Sequence, residues 1–461
     1  MKINKIGILI LITISLFLPV TALAAEIEFS EAVEIGLENN DTLSDLESQI
    51  KAQKRSIKIL EAGDNFQLSL EASDSDLSES DTESLGLSLS KDYSFGLSIS
   101  PGLEETTVDI DTEDFSSEYY LEVSQQLFPW IPSDNAREIY AETKELEKYE
   151  EELAAEESTK IIEWVESYLN LLRSNKKIDL YQKEVKLAKK DLENMEEKSK
   201  LKEASNLELM SAELNYKEAK QQYDTAKKNF QESKEDFKIE LGLNSYDEIK
   251  LNEQNNFIGK MKNIVNQSDF AAADIEGLLV KVAENDYNLK AAKIEKEKLK
   301  QQLEWTEKDG NTELSLVGNY TSEADDFTLG ITLSHVLYDG GEHKLEIEDK
   351  EAEIEDINSD YQRLLKELKL EIKENKNNLS TGQDSLESSE LSYQKAVINS
   401  KIAAQEFKSG VITELEYQEY QNSQMEAKIN LKDAEDSLLV AKLNFLSLIS
   451  KNEIPDVIKS N

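Results

Sequence analysis

Few residues in this sequence have the types and spacing that catalysis or metal binding requires. His335 and His343 are the two histidines, one on a predicted strand and one on the following turn, and no partner ligands stand at metal-site spacing. Nothing singles out a catalytic pair among the 95 acidic residues. Gly340 and Gly341 indicate a turn rather than a phosphate-binding loop, because no lysine follows them at P-loop spacing. We therefore expect no enzyme activity, no cofactor and no bound metal.

The net charge narrows the range of partners. The chain has 461 residues and a formal charge of -43, whereas neutralising the phosphates of a nucleic acid needs clustered Lys and Arg. We therefore expect no nucleic-acid partner. Most of the acid is expected on the solvated surfaces of long helices, and some of it could line a conduit.

Residues 1–24 have the pattern of a secretory signal peptide. Lys2 and Lys5 precede an apolar run, and Ala22-Leu23-Ala24 forms a small-residue cleavage site. After this segment, no run approaches the roughly 18 apolar residues of a membrane helix. A mature chain that crosses a membrane would have to do so with strands closed into a barrel. The chain has no cysteine, so we expect an exported protein without disulfides.

Long helices with a coiled-coil period make up much of the remaining chain. Apolar residues recur every ~3.5 positions between Gly410 and Leu448, which is the period of a left-handed coiled coil. An equivalent seam lies earlier in the chain. The seam residues are Tyr420, Ala427, Leu431, Ala434, Leu438, Ala441, Phe445 and Leu448 in the later segment, and Ala212, Tyr216, Ala219, Tyr223, Ala226, Phe230, Ser233 and Phe237 in the earlier one.

This correspondence predicts an internal structural duplication. Each half is interpreted as a helix, two strands and two long helices. The single helices that open the halves are predicted at 30–61 and 274–309, and Ser205 and Thr413 are predicted to cap the returning long helices. The predicted division is a first structural repeat at 25–241, a linker at 242–273, a second structural repeat at 274–454 and a C-terminal tail at 455–461.

The predicted strands alternate apolar with small or polar residues. The clearest has one apolar face formed by Phe327, Leu329, Ile331 and Leu333, and its earlier copy has Tyr119, Leu121 and Val123. This alternation is typical of lipid-facing and lumen-facing positions in a membrane barrel. A half-buried strand of a soluble sandwich alternates too.

The first repeat contains extra residues at about 73–118. We interpret them as an outer loop extended by a short hairpin, with its turn near Lys91-Asp92-Tyr93. Additional barrel strands are the other possibility.

Three motifs, in their order along the chain, are similar to those of the TolC-like outer-membrane efflux protein family. The first is Ser30-Glu31-Ala32-Val33 with Glu38-Asn39-Asn40. The second is Leu337-Tyr338-Asp339-Gly340-Gly341 at a strand exit. The third opens the last long helix and reads Gly410-Val411-Ile412-Thr413-Glu414-Leu415-Glu416-Tyr417-Gln418-Glu419.

The resemblance implies an α+β membrane protein that forms a homotrimer. Each chain would give four strands to a shared twelve-stranded transmembrane β-barrel in the outer membrane, surrounded by its lipid. Long antiparallel coiled-coil hairpins would form an α-helical tunnel through the periplasm. The implied function is an exit duct for a tripartite efflux pump or a type I secretion system. The hairpin tips, at Ser205, Gly410 and Thr413, would dock with a periplasmic adaptor (membrane fusion protein), which connects to an inner-membrane transporter.

The resemblance also implies a periplasmic gate. Glu416 and Glu419 correspond to two acidic residues that form rings at the closed end of the tunnel in similar proteins, and Phe407 corresponds to an aromatic that takes part in closure. Ile412 replaces a basic entrance residue. In the first repeat, Glu208 is equivalent to Glu416, but Ser211 stands at the position equivalent to Glu419. This implies a thinner ring, with fewer carboxylates.

Two alternative interpretations come from the residues themselves. Glu416 and Glu419 could be ordinary solvent-facing residues of an acidic helix. The whole protein could be an exported coiled-coil spacer or tether of envelope layers, without a pore. The sequence does not indicate an exported substrate.

Overall fold

The computed structural model describes residues 26–77, 80–107, 115–244, 246–267, 274–310, 312–323, 325–450 and 454–456. The predicted signal peptide lies outside these residues, as do parts of the predicted linker and tail. None of the described helices combines the length and apolar character needed to cross a lipid bilayer.

The described residues form a mostly helical chain with one large sheet. The helices are α1 Phe29–Asn39, α2 Asp41–Gly63, α3 Asp134–Lys200, α4 Asn206–Glu240, α5 Asn256–Gln267, α6 Ile275–Ala283, α7 Tyr287–Lys308, α8 Glu342–Lys408 and α9 Glu414–Ile449. The strands are β1 Glu26–Ile27, β2 Gln67–Leu77, β3 Ser80–Asp92, β4 Leu97–Thr107, β5 Phe115–Phe128, β6 Glu248–Ile249, β7 Thr312–Thr321 and β8 Asp326–His335.

The order of elements in α1 to α4 returns in α6 to α9, with strands between the second and third helix of each set. Both α3 and α8 contain 67 residues, and α4 and α9 contain 35 and 36. At 1.5 Å per residue, α3 and α8 are each about 100 Å long. The long hairpins therefore place the sheet and the hairpin tips at opposite ends of α3 and α8.

The helix predicted at 30–61 is divided in two at Asn40. The Asn40 side-chain oxygen accepts hydrogen bonds from the backbone N–H groups of Thr42 and Leu43, which makes it the N-cap of α2. Asp286 caps α7 in the same way through Leu289, and it divides the helix predicted at 274–309. Both predictions of one continuous helix were wrong because a cap residue stands inside each apolar pattern.

The large sheet contains six strands in the order β2-β3-β4-β5-β7-β8, and every neighbouring pair is antiparallel. The interpretation of residues 73–118 as an outer loop is therefore corrected. Their described part completes β2 and forms β3, β4 and the start of β5, which are full members of the sheet. The predicted hairpin does exist between β3 and β4, with its turn at residues 93–96. Among the described residues the sheet thus has six strands, whereas the resemblance implied four per chain.

The main core lies in the middle of the molecule, where α1, α3, α4, α5 and α9 meet. Phe29 of α1 stacks on Tyr168 of α3, with ring centroids 4.1 Å apart. The Tyr168 hydroxyl accepts a hydrogen bond from the backbone N–H of Asn252 at 2.9 Å. The described part of the predicted linker thus belongs to the core, since α5 is buried there and β6 pairs in parallel with β1.

The coiled-coil seams are observed on the long helices. On α4 the seam residues other than Ser233 are buried or half-buried, while most neighbouring positions are exposed. On α9 the seam is exposed at Tyr420 and becomes buried towards Phe445. A buried ion pair ties α9 to α3, with Arg173 Nε 2.7 Å from Asp436 Oδ2. The seam of α9 is therefore most exposed near the hairpin tip.

Candidate functional site

The two hairpin tips have the same backbone geometry. After α3, the N–H of Glu203 donates to the carbonyl of Lys198 at 2.8 Å, and after α8 the N–H of Val411 donates to that of Glu406 at 2.8 Å. These are Schellman turns, which require a left-handed residue just past the helix. Gly410 supplies it after α8 with φ 77°, whereas Lys202 adopts φ 62° after α3. The need of this turn for a left-handed residue thus explains the glycine at position 410.

Each returning helix begins with a capping box. The Glu208 carboxylate accepts a hydrogen bond from the Ser205 backbone N–H at 2.7 Å, and the Ser205 hydroxyl accepts one from the Glu208 N–H. Thr413 and Glu416 form the same reciprocal pair at the start of α9, also at 2.7 Å. The two predicted caps are confirmed. The predicted gate residues Glu208 and Glu416 therefore have a local structural role at the third helical position, and this hydrogen bonding lowers the pKa of both carboxyl groups.

Glu419 has a different environment from Glu416. Partial desolvation raises its pKa, and the negative charges of Glu416 and of Asp191 on α3 raise it further. Lys190, next to Asp191, bonds instead to Glu414 at 2.7 Å and fastens the start of α9 to α3. The negative charge of Asp191 on α3 thus acts on Glu419 together with that of Glu416, and the sequence did not indicate Asp191.

Phe407 packs within its own hairpin. Its ring stacks on Tyr417 with centroids 5.4 Å apart and an interplanar angle of 7°. This contact joins the end of α8 to the start of α9, while the ring stays 38% exposed. Phe407 therefore stabilises the tip of this hairpin and still presents surface to a neighbour.

One face of the sheet is apolar across all six strands. Register pairs Leu70 with Leu87, Leu87 with Leu103 and Leu103 with Tyr119. The row continues on the other side of β5, where Leu121 pairs with Tyr320 of β7, which pairs with Phe327 of β8. The register thus places all seven predicted lipid-facing residues on this face, namely Phe327, Leu329, Ile331, Leu333, Tyr119, Leu121 and Val123. Leu329 and Ile331 are 64% and 69% exposed, so no described part of this chain covers the face.

The opposite face of the sheet is polar and small. The hydroxyl oxygens of Ser69 and Ser88 are 2.6 Å apart across β2 and β3, and those of Ser73 and Ser84 are 2.7 Å apart. Acidic residues share this face at Glu71, Glu104, Glu118 and Glu122, whereas Lys91 is the only Lys or Arg in the six strands. A conduit lined by this face would disfavour anions.

The exit from β8 is organised by its Asp-Gly-Gly turn. The Asp339 carboxylate accepts hydrogen bonds from the backbone N–H groups of Gly341 at 2.8 Å and His343 at 3.2 Å, and these bonds lower its pKa. Gly340 and Gly341 have φ of 72° and 90°, which only glycine adopts readily. The neighbouring Leu337 and Tyr338, and Trp130 at the β5 exit, are more than 80% exposed.

The Glu-Asn-Asn motif also has a structural role that sequence reasoning missed. The Asn40 side-chain amide donates to the carbonyl of Glu240 at the end of α4, at 2.9 Å. In the second set the corresponding residues are Glu284-Asn285-Asp286, and the Asn285 side-chain amide donates to the carbonyl of Ile449 at the end of α9, at 3.0 Å. The motif thus joins the first and last helix of each set, and its distant partners could not be identified from the sequence.

The described chain thus joins long helical hairpins to a sheet that has one apolar and one polar face. Residues 278–449 match the family model described as outer membrane efflux protein. This match confirms the predicted family resemblance and the predicted outer-membrane localisation. The family match lies within the second predicted repeat.

Solved structures of the same fold cover almost the whole chain. The Campylobacter jejuni CmeC outer membrane channel has a TM-score of 0.65 and 13% identity, covering 94% of this chain and 88% of its own. VceC, an outer membrane protein of Vibrio cholerae, has a TM-score of 0.62 and 16% identity, covering 91% and 95%. A membrane protein from Pseudomonas aeruginosa has a TM-score of 0.63 and 14% identity, covering 92% and 93%. At these identities the likeness establishes the fold. No curated protein matched the sequence.

Proposed function

We propose that this chain is the outer-membrane exit duct of a tripartite efflux system or a type I secretion system. Three copies combine their sheets in the outer membrane and their hairpins in a periplasmic tunnel. The duct is passive and carries out no chemistry on its cargo. The family match and the solved channels of the same fold support this proposal.

The observation that carries the proposal is the exposed apolar face of the sheet. A water-soluble protein avoids a contiguous apolar surface of this kind, because exposing it to water is costly. Lipid would cover the face, and the polar face would then line the lumen. The spacer hypothesis requires soluble strands, and no described element of this chain buries the face.

We propose that Glu416 and Glu419 form the acidic ring at the tunnel entrance, with a thinner contribution from Glu208. They lie one helical turn apart at the start of α9. Asp191 adds a further carboxyl group beside Glu419. Threefold repetition would concentrate negative potential in a narrow opening and favour cations. Phe407 remains a proposed closure residue because its ring is partly exposed at this level.

The hairpin tips are the proposed docking surface for the periplasmic adaptor. Ser205, Gly410 and Thr413 shape the two turns, and large apolar side chains stand around them. Leu201, Leu207, Met210 and Val411 are each at least 67% exposed. A partner that buries these side chains would gain hydrophobic stabilisation.

Membrane extraction tests the proposal as a whole. We expect the protein to require detergent for release and to migrate as a trimer that dissociates on heating. Release of a water-soluble elongated species by osmotic shock would contradict it and favour the spacer.

Ion selectivity in planar bilayers tests the ring. We expect the double substitution Glu416→Gln with Glu419→Gln to reduce cation selectivity, measured as the reversal potential in a salt gradient. Glutamine at the third helical position preserves a capping box, so the tip should stay folded. Glu208→Gln makes the matched change at the other tip and should have a smaller effect. An unchanged reversal potential in the double variant would show that the two residues are not the ring.

A further inference from the structure

We propose that each copy contributes six strands, and that three copies close a wall of eighteen strands rather than twelve. The new junction joins β8 of one copy to β2 of the next. This inference rests on the proposed function for the number of copies, whereas the number of strands per copy rests on the sheet alone.

Within the part of the chain that the structure describes, the sheet ends in two strands that are paired on one side. β2 and β8 each have a hydrogen-bonded neighbour on one side. Every residue of β8, and the part of β2 at 67–73, is exposed. Unpaired backbone N–H and C=O groups cannot be left facing lipid, because no water is present there to satisfy them. Both edges therefore need a strand partner.

The two edges fit each other in direction and in face. Because all five pairings are antiparallel, β8 runs opposite to β2, and a junction between copies would be antiparallel as well. Leu68 and Leu70 lie on the apolar face of β2, as Leu329 and Ile331 do on β8. The apolar and polar faces therefore continue across the junction without a change of pattern, and a repeated head-to-tail contact can close a ring.

The inserted β3–β4 hairpin extends to the end of the sheet that lies next to the helices. Two backbone hydrogen bonds of 3.0 Å fix the turn between β3 and β4. The Ser133 N–H donates to the carbonyl of Ser94, and the Gln126 N–H donates to the carbonyl of Gly96. Lys91 lies 4.8 Å from the centroids of both the Phe66 and the Tyr93 rings. A hairpin anchored beside the start of α3 is part of the wall.

The widths of the two layers also favour six strands. The four helices that join the sheet are neighbours in the order α2, α3, α7 and α8. At a spacing of about 9–10 Å, four helices occupy roughly 36–40 Å of the ring. Six strands spaced about 4.8 Å apart and tilted by about 40° occupy roughly 38 Å, whereas four would occupy roughly 25 Å. Six strands therefore match the helical tunnel that they continue.

Cysteine cross-linking in isolated membranes tests the junction. The chain has no cysteine, so every disulfide would come from introduced residues. Thr332→Cys on β8 is combined in turn with Gln67→Cys, Ser69→Cys, Glu71→Cys or Ser73→Cys on the same face of β2. We expect at least one combination to give covalent trimers that a reductant dissociates. Leu68→Cys and Leu70→Cys, on the opposite face, are the matched controls and should not cross-link with Thr332→Cys.

A second pair tests the insert directly. Ser69→Cys with Ser88→Cys should form an intramolecular disulfide between β2 and β3 in the membrane-embedded protein. Strands can also be counted in an electron cryomicroscopy map of the detergent-extracted trimer, where eighteen are expected. A heat-sensitive trimer with twelve strands, or one without junction cross-links, would overturn this inference and leave the proposed duct intact. A wild-type protein that is not a membrane trimer would overturn both.

Discussion

The helical middle and the sheet both contain many apolar residues, but the middle buries them whereas the sheet exposes them on one face. Trp164 of α3 is 1% exposed and lies in the core that α1, α3, α4, α5 and α9 share. Leu329 of β8 is 64% exposed, and its neighbours on the same face are similarly open. The middle is thus completed within one copy of the chain. Under the proposed function, further copies and lipid complete the sheet.

Two tryptophans should show the largest difference between these regions. Trp164→Ala should lower the free energy of unfolding by about 3–5 kcal/mol, because it leaves a cavity in a packed core. Trp130→Ala, at the β5 exit, removes a side chain that is 83% exposed and should have little effect on helix unfolding. Denaturant titration followed by helical circular dichroism measures both. Equal effects would mean that the middle is not the stabilising core.

A charge on the sheet should act on membrane insertion instead. Ile331→Lys places an ammonium group on the apolar face, which costs about 2–4 kcal/mol at the bilayer midplane. Thr332→Lys places the same group on the polar face and should be tolerated. The yield of heat-sensitive trimer in the membrane fraction reports the difference. Similar yields for the two variants would contradict the assignment of the faces.

The tip of the α8–α9 hairpin should tolerate change less well than other exposed parts of the helices. Gly410→Ala forces alanine into a left-handed conformation and should cost about 1–2 kcal/mol, even though no atom would clash with the new methyl group. Gly259→Ala on α5 also meets open space, but it keeps helical dihedral angles and should be neutral or slightly stabilising. Thermal unfolding compares them, and a loss of stability in both would rule out the backbone explanation.

The smallest expected effect is a dependence of selectivity on pH. The pKa of Glu419 is raised and that of Glu416 is lowered, so Glu419 takes up its proton first as the pH falls. The repulsion of Glu419 by Glu416 and Asp191 exists above its raised pKa and is relieved on acidification. Cation selectivity should therefore weaken at a higher pH than an ordinary glutamate would produce, and Glu419→Gln should remove this first step. A pH profile that Glu419→Gln leaves unchanged would contradict the ring proposal.

The sequence was most informative where the cause was local. Ser205 and Thr413 could be recognised as caps because they precede acidic, helix-forming runs. The alternation of Phe327, Leu329, Ile331 and Leu333 could be recognised because side chains alternate along a strand. The capping boxes of Glu208 and Glu416 were present as Ser/Thr-x-x-Glu patterns, although only the caps themselves were recognised.

The sequence was least informative where contacts between residues far apart in the chain determine the structure. Residues 73–118 are rich in Ser and Asp, and Asp is depleted in strands. In the described part of this range, pairing with neighbouring strands overrides that preference. The described part of the predicted linker belongs to the core because α5 packs against α1 and α9. The bond from Asn285 to Ile449 joins residues far apart in the chain. No local pattern predicts such partners.

Native mass spectrometry of the unheated protein, released from membranes with detergent, is the sharpest test of the proposed membrane trimer. We expect an assembly of three copies. A single copy, recovered without detergent from the water-soluble fraction, would contradict it.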